Sequence, residues 1–283
     1  PPTFKYLESH ARFLFGAGHN DGLLRWADID TVATWTASNG LTITQQQNDA
    51  ITGLKKFRDV LIVFTNNNFF HVNGTSTTDM GISYKKYGVG CTSHRSIVVV
   101  GDEIFWWSNS GIVRSNGFDA QYIMFPSPDR QKGLMRTLGG LNAGQFTKVH
   151  ACWNEAKERV EFYLHNSGSS TVNRAVYYYY KTDTFWLQTG LGIQAGASAR
   201  LLLSGLPTVY TGSAGTSSSY IFKQDESTIT DNGTTITAFA QSKHDYVTNP
   251  LTMKRPKRLT VGCKGTGTLT YRVDTSDDRN SAV

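Results

Sequence analysis

Glu155, Glu158 and Glu161 are the densest acidic group in the chain, and paired carboxylates are what glycoside hydrolysis requires. That chemistry needs two carboxyl groups facing each other across a cleft. Glu155 and Glu158 instead fall in a stretch of turn composition, and Glu161 falls on the expected solvent side of an alternating strand. Asp274, Asp277 and Asp278 offer the oxygen ligands calcium takes, but without the spacing of a calcium loop, so they read as a solvated acidic tail. None of the seven histidines, His10, His19, His71, His94, His150, His165 and His244, pairs with another at i, i+2 or i, i+4 as a metal site would ask. Gly262-Cys263-Lys264-Gly265 suggests a phosphate loop, yet it lies between two expected strands and lacks the spacing and the helix. There is no GxSxG elbow, HExxH pair or GxGxxG fingerprint. The expectation is a protein that is not an enzyme, with no catalytic set, no cofactor and no metal.

Trp106-Trp107 and the run Tyr177 to Tyr180 offer aromatic faces on which a sugar or a base could stack. The competing reading places alternate rings inside and between sheets, with their neighbours at the surface. The asparagines of the two NGT sequons, Asn73 and Asn232, fall on Asn-Gly turns that turn chemistry explains. The chain has 28 Lys and Arg against 22 Asp and Glu, a formal charge of +6, which favours acidic partners in general. The excess gathers at Lys55, Lys56 and Arg58, at Lys85 and Lys86, and at Lys254, Arg255, Lys257 and Arg258. The last four are the candidate contacts to DNA or to a partner protein. Cys91, Cys152 and Cys263 are odd in number and widely spaced, and read as reduced, mostly buried thiols. No apolar run approaches the roughly 18 residues of a membrane-spanning helix. No signal peptide is visible, and the start at Pro-Pro without a methionine suggests a segment processed or outside this numbering.

The elements that must position these groups are strands. Val60 to Thr65, Ser96 to Val100, Glu103 to Ser108, Arg159 to Leu164 and Ala175 to Tyr180 are short, β-branched or aromatic, and bounded by turn residues. Helical periodicity is scarce. Asp59 to Gly74 (DVLIVFTNNNFFHVNG) aligns with Asp102 to Gly117 (DEIFWWSNSGIVRSNG) at an offset of 43 residues, with Asp, Asn, Asn and Gly identical at four positions. Each copy reads as a strand, an Asn-rich hairpin turn and a second strand. Two strands cannot bury a face alone. Further strands near Ile51 to Leu54 and before Glu103 give a unit of three or four strands about every 40 residues, the period of a propeller blade. Looser echoes at Arg12 to Trp26 and at Thr208 to Lys223, with strand pairs at His150 to Leu164 and Ala175 to Leu187, bring the count to five or six units. Gly190 to Gly196 and Gly212 to Ser219 read as loops. The expected fold is all-β: a β-propeller-like array of antiparallel sheets over residues 1–234, with a C-terminal β-segment over 235–283 that closes the propeller or starts a small sandwich.

The succession Ile51-Thr52-Gly53-Leu54, Phe57-Arg58-Asp59, Leu61 to Thr65, Gly88 to Cys91, Ser96-Ile97-Val98, Gly101 to Ser108 and Gly111-Ile112 resembles the propeller region of the tail nozzle and packaged-DNA stabilisation proteins of short-tailed phages. The later stretch from Tyr220 through Lys254-Arg255-Pro256-Lys257-Arg258-Leu259 to Leu269 resembles, more loosely, the segment following that propeller. The resemblance implies a structural virion protein, located in the tail, in six copies around the tail axis. Its implied partners are the portal, adaptor and tail fibre or spike, together with genomic DNA contacted without sequence preference. No membrane is implied for the mature particle. The alternative function is a carbohydrate-binding or carbohydrate-cleaving β-propeller, resting on the aromatic clusters.

Overall fold

The computed structural model describes residues 3–19, 21–44, 49–124, 140–189, 195–203, 206–213, 221–224, 230–231 and 234–235. Residues 236–283 of the C-terminal β-segment, with its basic run Lys254 to Arg258, lie outside them. The fold is an all-β, propeller-like array of antiparallel sheets built strictly in chain order. Sheet 1 contains β1 (Tyr6–His10), β2 (Phe13–Ala17), β3 (Leu23–Trp26) and β4 (Gly40–Thr42). Sheet 2 contains β5 (Ile51–Phe57), β6 (Val60–Thr65), β7 (Asn68–Asn73) and β8 (Gly81–Tyr87). Sheet 3 contains β9 (Val98–Val100), β10 (Glu103–Ser108), β11 (Gly111–Ser115) and β12 (Ala120–Met124). Sheet 4 contains β13 (His150–Asn154), β14 (Arg159–Leu164), β15 (Arg174–Tyr179) and β16 (Thr184–Thr189). Sheet 5 contains β17 (Ala195–Leu203), β18 (Leu206–Ser213) and β19 (Ile221–Lys223), and a two-stranded ribbon follows, β20 (Thr230–Asp231) with β21 (Thr234–Thr235). The first strands of successive sheets lie beside one another, β1 by β5 and β9 by β13 by β17, with a 3₁₀ turn at His94–Ser96 between β5 and β13.

Each sheet is short, and its apolar side chains alternate between two faces because successive Cβ atoms point to opposite sides. In a stack, both faces are inside. On β6, Leu61 and Val63 pack toward sheet 1 against Phe13, Phe15, Leu24 and Trp26, while Ile62 and Phe64 pack toward sheet 3. On β10, Ile104 and Trp106 pack back toward sheet 2, and Phe105 and Trp107 pack forward against Val160, Phe162, Val176 and Tyr178 of sheet 4. Positions 43 residues apart are therefore equivalent. Leu61 matches Ile104 and Val63 matches Trp106, each on the second strand of its sheet and each facing the preceding sheet. The repeat is a structural repeat, and the aromatics make the seams: Phe64 lies 5.0 Å from Trp106, and Phe105 lies 5.7 Å from Tyr178, between ring centroids. Trp106 also donates its indole N–H to Gly90 O at 2.9 Å.

Turn chemistry closes the hairpins. Ala11 and Arg12, Arg58, Gly101, Glu158 and Asp183 adopt positive φ at two-to-four-residue connections, the left-handed conformation tight hairpins require. The β6–β7 turn is held by a buried acid. Asp49 accepts from Thr65 Oγ1 at 2.9 Å, Asn67 N at 3.0 Å and Asn68 Nδ2 at 2.6 Å.

Three expectations are corrected. Ser96 does not begin a strand. It is fully buried in the 3₁₀ turn, where its Oγ donates to Ser93 O and accepts from Trp107 N, and the strand starts at Val98. Ala195, Gly196, Gly212 and Ser213 are not loop residues: Ala195 pairs with Ser213 and Ala197 with Gly212, and Gly196 is the bulge between them. The strand pairs at 150–164 and 174–189 are one four-stranded sheet, joined in register by β14 and β15.

Candidate functional site

One face of sheet 4 packs on sheet 3 through Val160, Phe162 and Leu164. The alternate residues face the other way, and they are polar. The register sets His150 opposite Tyr163, Cys152 opposite Glu161 and Asn154 opposite Arg159, with Tyr177 and Tyr179 beside Glu161 and Arg159. Glu161 is fully buried. Its Oε1 accepts from Arg159 Nε at 2.8 Å and Asn154 Nδ2 at 2.9 Å, and its Oε2 accepts from Tyr163 OH at 2.6 Å. Arg159 also donates to Tyr179 OH at 3.0 Å and lies over the Tyr177 ring at 4.1 Å. This is a closed set of bonds in which every acceptor is used, the condition under which a buried charge is tolerated. Glu161 therefore does not face solvent as alternation suggested. A strand between two sheets has no solvent side.

Sheet 5 meets this face with polar groups of its own. Ser198 Oγ lies 3.4 Å from His150 Nε2 and 3.1 Å from Thr211 Oγ1, and Gln224 donates to Tyr163 OH and Thr211 Oγ1. The His150 ring stacks on Tyr163 with centroids 4.7 Å apart and planes 10° apart. Burial, then the nearby Arg95 and His165, push His150 down to about 4, so the imidazole is neutral at pH 7. Ser198 and His150 resemble a nucleophile and base, but a triad needs a carboxylate orienting the imidazole. His150 Nδ1 has no hydrogen-bond partner among the described residues, and Glu161 is spent on Arg159, Asn154 and Tyr163. What this arrangement can do is join two sheets and respond to a proton.

A second polar region is the rim formed by the tight turns. Arg58, at the β5–β6 turn, donates to Asp102 O at 3.0 Å and lies 3.5 Å from its carboxylate, tying sheet 2 to the equivalent turn of sheet 3. Arg12 pairs with Asp30, Arg114 with Glu103, Lys181 with Glu158 and Arg200 with Glu155. The Arg12 guanidinium holds the exposed Asp30 carboxyl below its usual range. Between the first two sheets, His10, Lys56, Arg58, Asp59, Asn73 and Thr75 line an open groove of about 440 Å³.

The other candidates fall as follows. Glu155 and Glu158 are exposed on the β13–β14 turn, and with Glu161 inward the three do not share a cleft. Trp106 and Trp107 are both buried, on opposite faces of β10, and Tyr178 is buried too, so these rings pack between sheets. Lys55 pairs with Glu8 at 3.5 Å and Lys86 lies 3.9 Å from Asp119. Cys91 and Cys152 are free thiols, pushed up to about 12 chiefly by burial. His71 Nε2 lies 2.6 Å from Gly117 O and His94 Nδ1 lies 3.4 Å from Leu54 N. Among the described residues no three His, Cys, Asp or Glu side chains are placed to hold a metal ion. Lys254, Arg255, Lys257, Arg258, His244, Cys263, Asn232, the Gly262 to Gly265 stretch and the acidic tail lie outside them. Sequence reasoning missed the Asp49 turn anchor and the His150 to Ser198 contact, which joins residues 48 apart with no local signal.

No protein-family model and no curated protein matches this sequence. Among solved structures, the chain is similar to the N-terminal domain of Nup159, with 11% identity, a TM-score of 0.45 and coverage of 79% of this chain. It is also similar to BBS1N, solved in complex with ARL6DN, at 13% identity, a TM-score of 0.47 and 74% coverage. A chain of a mitotic checkpoint complex gives 13% identity, a TM-score of 0.45 and 74% coverage. The chain spans under two thirds of each of these proteins, 64%, 60% and 58% of their lengths.

Proposed function

We propose that this chain is a structural virion protein of a bacteriophage tail or head-to-tail connection, a nozzle or stabilisation ring that helps retain and conduct the genome. The observation that supports the reading is the equivalence of the two repeat copies. The residues that resemble the phage nozzle propellers, from Ile51 to Ile112, are those that build sheets 2 and 3 and the aromatic seam between them. Seams of interlocked rings make a stiff block suited to bearing load between neighbouring virion proteins. In this reading six copies surround the tail axis and meet the portal, adaptor and tail fibre or spike. Lys254, Arg255, Lys257 and Arg258 meet DNA phosphates or acidic virion surfaces, without reading base sequence.

Cryo-electron microscopy of the particle, or of the purified chain with proteins encoded beside it, tests this. A ring of copies on a portal-like complex is the expected result. A lone monomer that joins no such complex would overturn it.

A further inference from the structure

We propose that the seam between sheets 4 and 5 is a proton-operated joint: when His150 takes up a proton, β17 to β19 come away from sheet 4 while the other seams stay closed. This goes beyond the tail reading and does not depend on it.

The contrast among seams carries the inference. Sheets 1 and 2, 2 and 3, and 3 and 4 are joined by continuous apolar clusters, which hold those seams independently of the imidazoles of His10, His71 and His94 beside them. Between sheets 4 and 5 no such cluster forms among the described residues, where Val209 is the buried apolar side chain of sheet 5, and the contacts are polar: His150 with Ser198 and Tyr163 with Gln224, beside the exposed ion pair of Arg200 and Glu155. The small apolar group of Tyr163, Val172 and Ala175 belongs to sheet 4 and its β14–β15 connection. A seam of that kind is weak enough to open and contains a group that titrates.

His150 is 3% exposed and has Tyr163 flat against its ring. One ring nitrogen meets Ser198 Oγ, and the other is buried without a partner. Protonation turns both nitrogens into donors, so one N–H of a buried cation is left unbonded, a costly state that opening to water relieves. The charged and titratable groups around it do not offset that cost. The 3₁₀ turn brings Arg95, which also acts on His94 beside it, and the β14–β15 connection brings His165, on which Lys148 of the turn before β13 acts. On β17, Arg200 is paired with Glu155, and on its own strand Cys152 is buried and neutral. On β14, Glu161 makes its bonds to Arg159, Asn154 and Tyr163. His71, the buried imidazole between sheets 2 and 3, differs in having Gly117 O on its Nε2, and His10, whose Nδ1 is also buried without a partner, differs in having the Asp59 carboxylate near it to favour its charged form.

The closed seam favours neutral His150, whose value falls from 6.5 to about 4 on burial. Its contribution to closure is complete above about pH 6.5, shrinks as pH falls and levels off below about 4. Linkage multiplies the open-to-closed ratio about tenfold at pH 5.5 and about thirtyfold at pH 5.

Hydrogen exchange of the full chain at pH 7.5 and pH 5.5, corrected for intrinsic rates, reads the joint. Protection of β17 and β18 should fall about tenfold while that of β6 and β10 holds. In His150→Phe, which keeps a ring on Tyr163 and cannot protonate, β17 and β18 should show no such fall. No fall in the wild type, an equal fall in every sheet, or the same fall in the variant would each overturn the proposal. NMR titration of His150 in the wild-type chain guards against a misfolded variant: a midpoint near 6.5 overturns it, and one well below supports it.

Discussion

Glu161→Gln removes one negative charge and almost no volume, and it isolates what holds sheet 4 together. Arg159, whose side chain is 9% exposed, loses the carboxylate it pairs with, and Tyr163 and Asn154 lose a charged acceptor. Breaking a buried pair by removing one member costs about 3–5 kcal/mol, because the remaining charge stays desolvated. Arg159→Leu should cost a similar amount by the converse route. The double variant Arg159→Leu with Glu161→Gln leaves neither charge of the pair, and the amide at position 161 still offers its oxygen to the Asn154 and Tyr163 donors. It should therefore cost far less than the two single changes together, with a coupling of several kcal/mol. Urea unfolding followed by tryptophan fluorescence gives all four stabilities, provided the m-value is unchanged. Additivity within about 0.5 kcal/mol, or a loss below about 1 kcal/mol for Glu161→Gln, would refute the argument that each buried charge of this pair is compensated by the other.

Asp49→Ala strips the β6–β7 turn of its shared acceptor and should cost about 2–3 kcal/mol, read as a lower urea midpoint. Gly111 sits at φ +131°, where an added Cβ would lie 2.1 Å from Met124 O, whereas Gly101 at φ +56° has open space around it. Gly111→Ala should lower the melting temperature far more than Gly101→Ala, which carries only the left-handed backbone penalty of about 1–2 kcal/mol. In a Cys263→Ser chain at pH 8, Cys91 and Cys152 should resist a thiol reagent until urea unfolds the protein, since burial pushes both up to about 12. Rapid labelling of the folded chain would contradict their burial.

The sheets were legible where strands are short, β-branched and fenced by Asn, Asp and Gly: β6, β10 and β14 occupy the segments that composition marks. The repeat was legible because Asp59 and Asp102 lead turns in equivalent places and the residues after them alternate in step. The site was not. Glu161 reads as exposed because a two-residue period normally separates core from solvent, a rule that fails for a strand sandwiched between two sheets. Sheet 4 has no 43-residue echo, and its middle connection runs from His165 to Asn173, so its two halves look independent in sequence. Ser198 and His150 meet only after two sheets have formed, and nothing local records that.

Adjacent residues of β10 belong to different seams, and this reverses ordinary intuition about neighbours. Trp106 and Trp107 are covalently linked yet pack in separate clusters, while Phe64 and Trp106, 42 positions apart, share one. Substitutions at the linked pair should combine almost additively, and those at the distant pair should not. Compensation in this protein is organised by seam rather than by strand: a lesion at Trp106 is rescued from Phe64 or Phe69, across the gap between sheets, and not from the residue beside it.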